Sequence, residues 1–194
     1  MLKDLAVIIP VRLESSRLKH KVLLPFGDTT LLEWKIRQVL KIVSPNNIFV
    51  STESETLEAV AKKCGVRVHH REKYLALGHN ASFSEVIVGI VKDIDFAHIA
   101  WVTAVVPLMS PSEYQEAFKI YDRYVVREKH YDSLFSVNML KEYFWDIDKP
   151  LNYRADKHHT ISQELPKIFR VTNGLYMRDR ESILQSGYFL GKNP

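Results

Sequence analysis

Cysteine is nearly missing from this chain, and long apolar runs do not occur in it. Cys64 is the one cysteine among 194 residues, so intrachain disulfides and zinc sites built from thiolates are excluded. The apolar run in "MLKDLAVIIP" is too short for a signal peptide, and no segment approaches the roughly 18 apolar residues of a membrane span. We therefore expect a cytoplasmic protein that does not bind a membrane.

Charge of one sign is not concentrated along the chain either. The formal net charge is +4, the pI is about 9.0, and the basic residues are spread out instead of forming a stripe with aromatics. A nucleic-acid partner is not expected.

The glycine-rich motifs G-x-x-x-x-G-K-[ST] and G-x-G-x-x-G are absent, which disfavours a P-loop or dinucleotide-binding protein. With 46% hydrophobic residues and no linker or repeat, residues 1–194 are expected to form a single domain.

Strand and helix patterns alternate over the first 140 residues. The apolar runs "VIIP", "NIFVST", "VRVHH" and "HIAWVT" are separated by segments with helical periodicity. This alternation predicts an α/β fold, in which a mostly parallel sheet is flanked by helices on both faces. Such sheets bind ligands at the carboxyl ends of their strands.

The helices are predicted from periodicity and from capping residues. In "TTLLEWKIRQVLKIV" the apolar residues at helical spacing are Leu32, Ile36, Val39 and Val43. The cations at the intervening positions are Lys35, Arg37 and Lys41. This pattern predicts an amphipathic helix. Ser82 with Glu85, and Ser110 with Glu113, each form a capping box that predicts the start of a further helix.

The loop after the first predicted strand is rich in hydrogen-bond donors. Its polar residues are Arg12, Ser15, Ser16, Arg17, Lys19, His20 and Lys21. Positive side chains and short hydroxyl donors at the end of a strand suit a polyphosphate. The alternative is a solvated surface run, and the position of the loop after the first strand favours phosphate.

The same residues resemble the nucleotide-binding signature of a known family. "IIPVRLESSRLKHK" is similar to I-I-P-A-R-x-x-S-[KTS]-R-[IL]-P-x-K of the sugar-activating cytidylyltransferases, which include the acylneuraminate and 3-deoxy-manno-octulosonate enzymes. "LLPFGDTTLLEWKIRQVL" resembles their L-x-G-K-P-L-I-E-W-T-I helix, and "SQELPKIFRVTNGLYM" resembles their R-Q-x-L-P-x-x-Y-x-x-N-G-A-I-Y-I segment. The resemblance covers nearly the whole chain and is stronger to the acylneuraminate enzymes.

This resemblance implies a nucleotide-diphospho-sugar transferase (Rossmann-like) fold that binds CTP and Mg²⁺. In the implied reaction, the anomeric hydroxyl of a 2-keto sugar acid attacks the α-phosphorus and pyrophosphate leaves, yielding a CMP-sugar for surface glycans. The resemblance also implies a homodimer, formed through an excursion within residues 140–170.

Individual site residues are likewise implied by the resemblance. Arg12 and Lys21 match the signature's arginine and lysine and are expected to grip the phosphates during catalysis. Arg71 matches an arginine that helps to read the cytosine edge, with a surface arginine as the alternative, and Ser82 matches a serine beside the base and ribose while also capping a helix. The expected nucleotide-binding residues are Pro10, Val11, Arg12, Ser15, Arg17, Lys21, Arg71 and Ser82.

The chain departs from the family pattern where the acceptor and metal should bind. Thr103 replaces a glutamine that faces the sugar, Val105 replaces a metal-binding aspartate, and Ser162 replaces an arginine that reaches a neighbouring subunit. The expected acceptor-binding residues are Thr103, Asn173 and Tyr176, although Thr172 takes the asparagine position in an ungapped alignment. The metal ligands are not identified.

Two explanations for these departures remain open: a different hydroxylated or phosphorylated acceptor, or a nucleotide-binding relative without catalysis. A glycosyltransferase is a third possibility, because D-x-D pairs occur at 93–95 and 146–148.

The histidine pairs at 69–70 and 158–159 are expected in polar or loop roles, since strand neighbours point to opposite faces. Phe144 and Trp145 match an aromatic pair near the family's substrate mouth, and core packing is the favoured alternative.

Overall fold

The structure of the protein, a computed structural model, describes residues 2, 4–15, 18–76 and 81–194. Its strands are β1 (Leu5–Pro10), β2 (Pro25–Phe26), β3 (Thr29–Thr30), β4 (Ile48–Thr52), β5 (Arg67–His70), β6 (His98–Val102), β7 (Leu134–Leu140) and β8 (Ile168–Asp179). Its α-helices are α1 (Leu31–Leu40), α2 (Glu55–Lys63), α3 (Phe83–Val91), α4 (Pro111–Tyr121) and α5 (Arg180–Ser186). A π-helical segment, Asp122–Arg127, continues α4.

Six of the strands form one sheet in the order β5-β4-β1-β6-β8-β7. The pairs β4–β5, β1–β4 and β1–β6 are parallel, whereas β8 runs antiparallel to β6. Ile8 of β1 pairs with Phe49 on one side and Trp101 on the other. The prediction of a mostly parallel sheet is confirmed, and β2 and β3 form a separate small hairpin.

Helices cover both faces of this sheet because β1 is apolar at successive positions. Val7 and Ile9 point into one core with residues of α1, α2 and α4, while Ala6 and Ile8 point into the other with residues of α3 and α5. All four of these side chains are inaccessible to solvent. The first strand therefore lies at the centre of the sheet, and its carboxyl end delivers the chain directly to the donor-rich loop.

The predicted capping boxes are both present. The Ser82 hydroxyl accepts the Glu85 backbone N–H while the Glu85 carboxylate accepts the Ser82 N–H, and Ser110 and Glu113 repeat this exchange at α4. Pro111 occupies the first turn of α4, where no intrahelical partner for its nitrogen is needed.

The polar face predicted for α1 is wrong at one position. Arg37 and Lys41 are partly or largely accessible, as the spacing predicted, but Lys35 is completely buried. Its ε-ammonium donates to the Val106 carbonyl and to the Tyr114 hydroxyl, so hydrogen bonds replace the water that the charge has lost.

The chain divides into two compact units, one formed by Met1–Phe135 with Asn173–Pro194 and the other by Ser136–Thr172. The second unit contains the interval 140–170 in which an excursion was predicted. Trp145 is 55% exposed, so the alternative that it packs in a core is wrong. Asp146 accepts the backbone N–H groups of Asp148 and Lys149, which closes a tight turn.

The second unit exposes many large apolar side chains. They are Met139, Tyr143, Trp145, Ile147, Leu151, Ile161, Phe169 and Val171. No helix in the described part of the chain has both the length and the apolar character that crossing a membrane would require.

Asp132 holds the C-terminal segment in place within the first unit. Its carboxylate accepts the backbone N–H groups of Lys192 and Asn193 and the hydroxyl of Ser133. Gly191 is needed here because an added Cβ would lie 2.2 Å from the Asp132 carboxyl carbon. Partial burial raises the pKa of Asp132, but the hydrogen bonds more than offset this and hold that pKa below its ordinary value.

We predict that Asp132→Asn lowers the free energy of unfolding by about 1 kcal/mol at pH 7, because charge-assisted hydrogen bonds are lost. Since the folded pKa of Asp132 is lowered, its stabilisation is present above the unfolded value and is lost as the pH falls below about 4. Urea denaturation of the wild-type and Asp132→Asn proteins at several pH values measures this. The difference between their free energies of unfolding should become smaller in acid. A difference that does not change with pH would contradict this account.

Candidate functional site

Two cavities open at the carboxyl ends of β1 and β6. The first, the donor-loop cavity, has a volume of about 200 Å³ and is lined by Pro10, Val11, Arg12, Ser15, Lys21, Val22, Thr103, Ala104 and Val105. The second, the aromatic cavity, has a volume of about 610 Å³ and is lined by Pro10, Val11, Arg12, Arg71, Leu75, Ala76, Ala81, Phe83, Val86, Trp101, Thr103, Asn173, Tyr176 and Tyr188. Because Arg12 and Thr103 line both, the two cavities form one composite site.

The donor-loop cavity brings together three of the predicted phosphate ligands. Arg12, Ser15 and Lys21 all line it, and Val22 beside Lys21 is buried in the core. The Arg12 guanidinium also donates to the Ala76 carbonyl at 3.4 Å. Two cations and a hydroxyl around one cavity are suited to a polyphosphate. The predicted contribution of Arg17 lies outside the described residues.

Arg71 is buried, so the alternative of a surface arginine is wrong. It is 7% exposed, and its Nη2 donates to the Val11 carbonyl at 2.6 Å and to Glu53 Oε2 at 2.9 Å. Glu53 Oε1 in turn accepts the backbone N–H of Leu13 at 3.2 Å. The ion pair thus binds the donor-rich loop at two points, through Arg71 to the Val11 carbonyl and through Glu53 to the Leu13 N–H.

Glu53 was not among the residues that the sequence suggested. It directly follows β4, at the same edge of the sheet as the donor-rich loop after β1. An acidic residue immediately after a buried strand was the available signal, because the ends of neighbouring parallel strands lie side by side. Arg71 also lines the aromatic cavity, and its buried Nε has no hydrogen-bond partner among the described residues.

The histidines of β5 separate to opposite sides, as predicted. His69 is buried and contacts Ser51 Oγ at 3.0 Å and Asp93 Oδ2 at 3.3 Å, whereas His70 is exposed and pairs with Glu58. Burial lowers the pKa of His69, although Asp93 partly opposes this. Ser51 is completely inaccessible, so this hydrogen-bonded chain is structural and not a nucleophilic triad.

Thr103, Asn173 and Tyr176, the predicted acceptor ligands, are linked by hydrogen bonds. The Thr103 hydroxyl donates to the Asn173 carbonyl at 2.6 Å, and the Tyr176 hydroxyl donates to the Asn173 side-chain oxygen. Asn173 has a φ of 58°, in the left-handed region that asparagine tolerates better than most residues. All three side chains line the aromatic cavity.

The aromatic wall of this cavity rests on one buried ring that sequence reasoning missed. Phe189 is 1% exposed, and its ring centroid lies 4.7 Å from that of Trp101, 5.2 Å from Tyr176 and 5.9 Å from Phe83. Only its place in an aromatic "GYFLG" stretch hinted at this role. Ser82 caps α3, as predicted, while its neighbours Ala81 and Phe83 supply lining to the cavity.

The charges that face the two cavities are positive. Among the described lining residues, Arg12, Lys21 and Arg71 carry charge and no Asp or Glu is present. Mg²⁺ prefers carboxylate oxygens, and the described residues contain no group of three or more His, Cys, Asp or Glu side chains placed to hold a metal. The described residues therefore fit an anion and do not form a protein-built magnesium site.

Comparisons with known proteins agree with this arrangement. A sequence profile described as Cytidylyltransferase matches residues 6–124, more than half of the chain. A 3-deoxy-manno-octulosonate cytidylyltransferase of Rickettsia felis is 29% identical over 123 residues, which cover 58% of this chain and 50% of that protein. The chain thus spans about half the length of the curated relatives that it matches.

Solved structures share the fold. A CMP:2-keto-3-deoxy-manno-octonic acid synthetase complexed with CTP superposes with a TM-score of 0.61 at 16% identity, covering 95% of this chain and 77% of that one. A cytidylyltransferase from Leptospira borgpetersenii gives a TM-score of 0.60 at 19% identity, covering 94% of this chain and 63% of that one. The predicted nucleotide-diphospho-sugar transferase fold is confirmed.

We predict that Glu53→Gln lowers the free energy of unfolding by about 3 kcal/mol, because it leaves the buried Arg71 guanidinium without a counter-charge. Denaturation in urea measures this. The matched control is Glu116→Gln, which removes an exposed pair with Lys119 and should change stability little. Equal effects of the two substitutions would contradict the assigned importance of the buried pair.

Proposed function

This chain belongs to the cytidylyltransferase family, and we propose that it transfers CMP from CTP to a hydroxylated acceptor with release of pyrophosphate. The observation that carries the proposal is the composite site, in which Arg12 and Lys21 face one cavity and Arg12 and Thr103 also face the next. The donor-loop cavity would hold the phosphates of CTP, and the larger aromatic cavity, which Arg71 and Thr103 both line, would hold the nucleoside and the acceptor.

In the proposed reaction the acceptor oxygen attacks the α-phosphorus of CTP while the bond to the bridging oxygen of pyrophosphate breaks. Such a displacement needs little covalent help from the protein, so alignment of the two oxygens and neutralisation of charge supply most of the acceleration. Arg12, which lines both cavities, would neutralise charge near the α-phosphate, and Lys21 and Ser15 would hold the departing pyrophosphate.

The nucleoside would lie beside Arg71, Ser82 and the backbone of Pro10 and Val11. Arg71 Nη2 is already engaged by Val11 and Glu53, so we assign Arg71 an indirect part in pyrimidine recognition. By holding the Val11 carbonyl, it would fix the backbone groups that read the donors and acceptors of the base.

The acceptor is proposed to be a sugar acid or a related hydroxylated compound. The curated relatives are named for 3-deoxy-manno-octulosonate, itself a sugar acid, whereas the motifs of this chain resemble the acylneuraminate branch. Trp101, Tyr176 and Tyr188 offer apolar faces to a sugar ring or to an acyl substituent, and Thr103 and Asn173 offer polar groups. This combination favours an acylated sugar acid over a smaller polar acceptor.

Magnesium is the cofactor that the resemblance implies. Because the described residues do not form a protein-built site, we assign charge neutralisation to Arg12 and Lys21. Magnesium bound by the triphosphate itself stays a prediction, and its effect is measured directly when it is omitted from the assays.

We also propose that the protein is a homodimer formed through Ser136–Thr172. This unit exposes eight large apolar side chains within 37 residues, among them Trp145, Ile147 and Phe169. Large exposed apolar patches mark association surfaces, and we infer that these side chains form such a patch. Sedimentation velocity would give the mass of a monomer if the proposal is wrong.

The glycosyltransferase alternative is less well supported. Its D-x-D pair would have to bind a metal, yet Asp146 is engaged in its own turn and Asp93 contacts the buried His69. A relative that binds CTP without catalysis shares the same donor-loop cavity, so only an activity measurement separates it from the enzyme.

The experiment that tests the function measures CTP binding by calorimetry and pyrophosphate release with 3-deoxy-manno-octulosonate and N-acetylneuraminate, each with and without Mg²⁺. We expect CTP binding and pyrophosphate release that depends on the acceptor. Binding without release from either acceptor would favour the non-catalytic relative. Absence of CTP binding would overturn the proposal.

We predict that replacing Arg12 and Lys21 together by Gln raises the Kd of CTP at least about 100-fold, since two charge-assisted phosphate contacts are lost. The melting temperature should change little, because both side chains face the cavity. Lys19→Gln is the matched control, since Lys19 is an exposed cation of the same loop outside the cavity lining. Unchanged CTP affinity in the double variant would show that the phosphates bind elsewhere.

A further inference from the structure

Lys35 is a buried charged side chain, and other interactions in the fold must offset the cost of removing its charge from water. Its exposed fraction is 0%, and its Nζ lies 2.8 Å from the Val106 carbonyl, 2.9 Å from the Tyr114 hydroxyl and 5.0 Å from the centre of the Tyr114 ring. Burial lowers the pKa of Lys35 to about 8, although the charge of Glu113 partly opposes this. An apolar side chain would fill this position without the desolvation cost, so the hydrogen bonds need an explanation.

What Lys35 holds is the segment of residues 103–109, which joins β6 to α4. The segment begins at Thr103, whose hydroxyl donates to Asn173 and whose backbone N–H donates to Gly174. Near its other end, the Val106 carbonyl accepts Lys35 and the Pro107 carbonyl accepts the Trp34 indole N–H at 3.1 Å. Two consecutive residues of α1 therefore fix two consecutive carbonyls of the segment.

The residues between these anchors face the site. Ala104 and Val105 line the donor-loop cavity, and Thr103 lines both cavities. Val105 is 47% exposed, so packing around its own side chain does little to fix the backbone there. Ala104 is 2% exposed and packs in the core, so from Val105 onward the position of this wall depends on the hydrogen bonds from α1.

We propose that Lys35 is a positioning residue that sets the course of residues 103–106 and thereby the wall that they contribute to both cavities. It touches neither cavity, and it acts only through the Val106 carbonyl.

The test compares Lys35→Met with the wild-type protein. Met fills a similar volume but cannot donate, so a purely packing role would be preserved. Tyr114→Phe is the matched control, because it removes the other partner of the ammonium and leaves the bond to Val106 intact. Lys35→Thr serves as a second variant in case Lys35→Met does not fold.

The primary readout is hydrogen exchange of the backbone amides of residues 103–106, 108 and 109, with α3 as the internal reference. We expect exchange in this segment to become at least about tenfold faster in Lys35→Met, with α3 unchanged and Tyr114→Phe close to wild type. Unchanged exchange in a folded Lys35 variant would overturn the proposal, and so would faster exchange throughout the protein.

The second readout is kinetic and rests on the proposed function. With whichever acceptor releases pyrophosphate, Lys35→Met should raise both the Kd of CTP and the acceptor KM about tenfold, while Tyr114→Phe stays within about twofold of wild type in both. Unchanged CTP and acceptor binding in a folded Lys35→Met protein would overturn the proposal. If the wild-type protein turns over neither acceptor, the proposed function fails, and hydrogen exchange alone decides the role of Lys35.

Discussion

The ion pair between Glu53 and Arg71 is the interaction on which the nucleotide side of the molecule depends. It is formed by side chains that follow two neighbouring parallel strands, and it reaches across to the loop that follows a third strand. Both partners are shielded from water, so each needs the other to offset its desolvation. Val11 and Val22 anchor the loop in the core, and the ion pair adds hydrogen bonds to the backbone of Val11 and Leu13 on either side of Arg12.

The acceptor side is built on a different principle. Its floor is an aromatic cluster centred on Phe189, and its edge is the segment after β6, which α1 holds by its backbone. Aromatic rings offer broad faces with little conformational freedom, whereas the polar groups of Thr103 and Asn173 offer direction. An ion pair with its hydrogen bonds therefore fixes the part of the composite site near Arg71, and aromatic packing fixes the part near Tyr176.

The sequence was informative wherever a local rule decides the structure. Alternating strands and helices gave the mostly parallel sheet, and the side chains of Ser82 and Ser110 marked two helix starts through a hydrogen-bond exchange within four residues. The position of the donor-rich loop could also be predicted, because a strand that is buried on both faces must emerge at an edge of the sheet. These features depend on neighbours in the chain.

Features that depend on distant partners could not be predicted in this way. Lys35 occupies a position that helical periodicity treats as polar, and its burial becomes favourable only because Val106 and Tyr114 lie against α1 in the folded chain. Glu53 and Phe189 gained their importance from residues 13 or more positions away.

The antiparallel position of β8 in the sheet affects how the chain folds while it is being synthesised. Since β8 lies between β6 and β7, one edge of β6 stays open until residue 179 has been synthesised, so a nascent chain exposes an unpaired strand edge that invites aggregation late in translation.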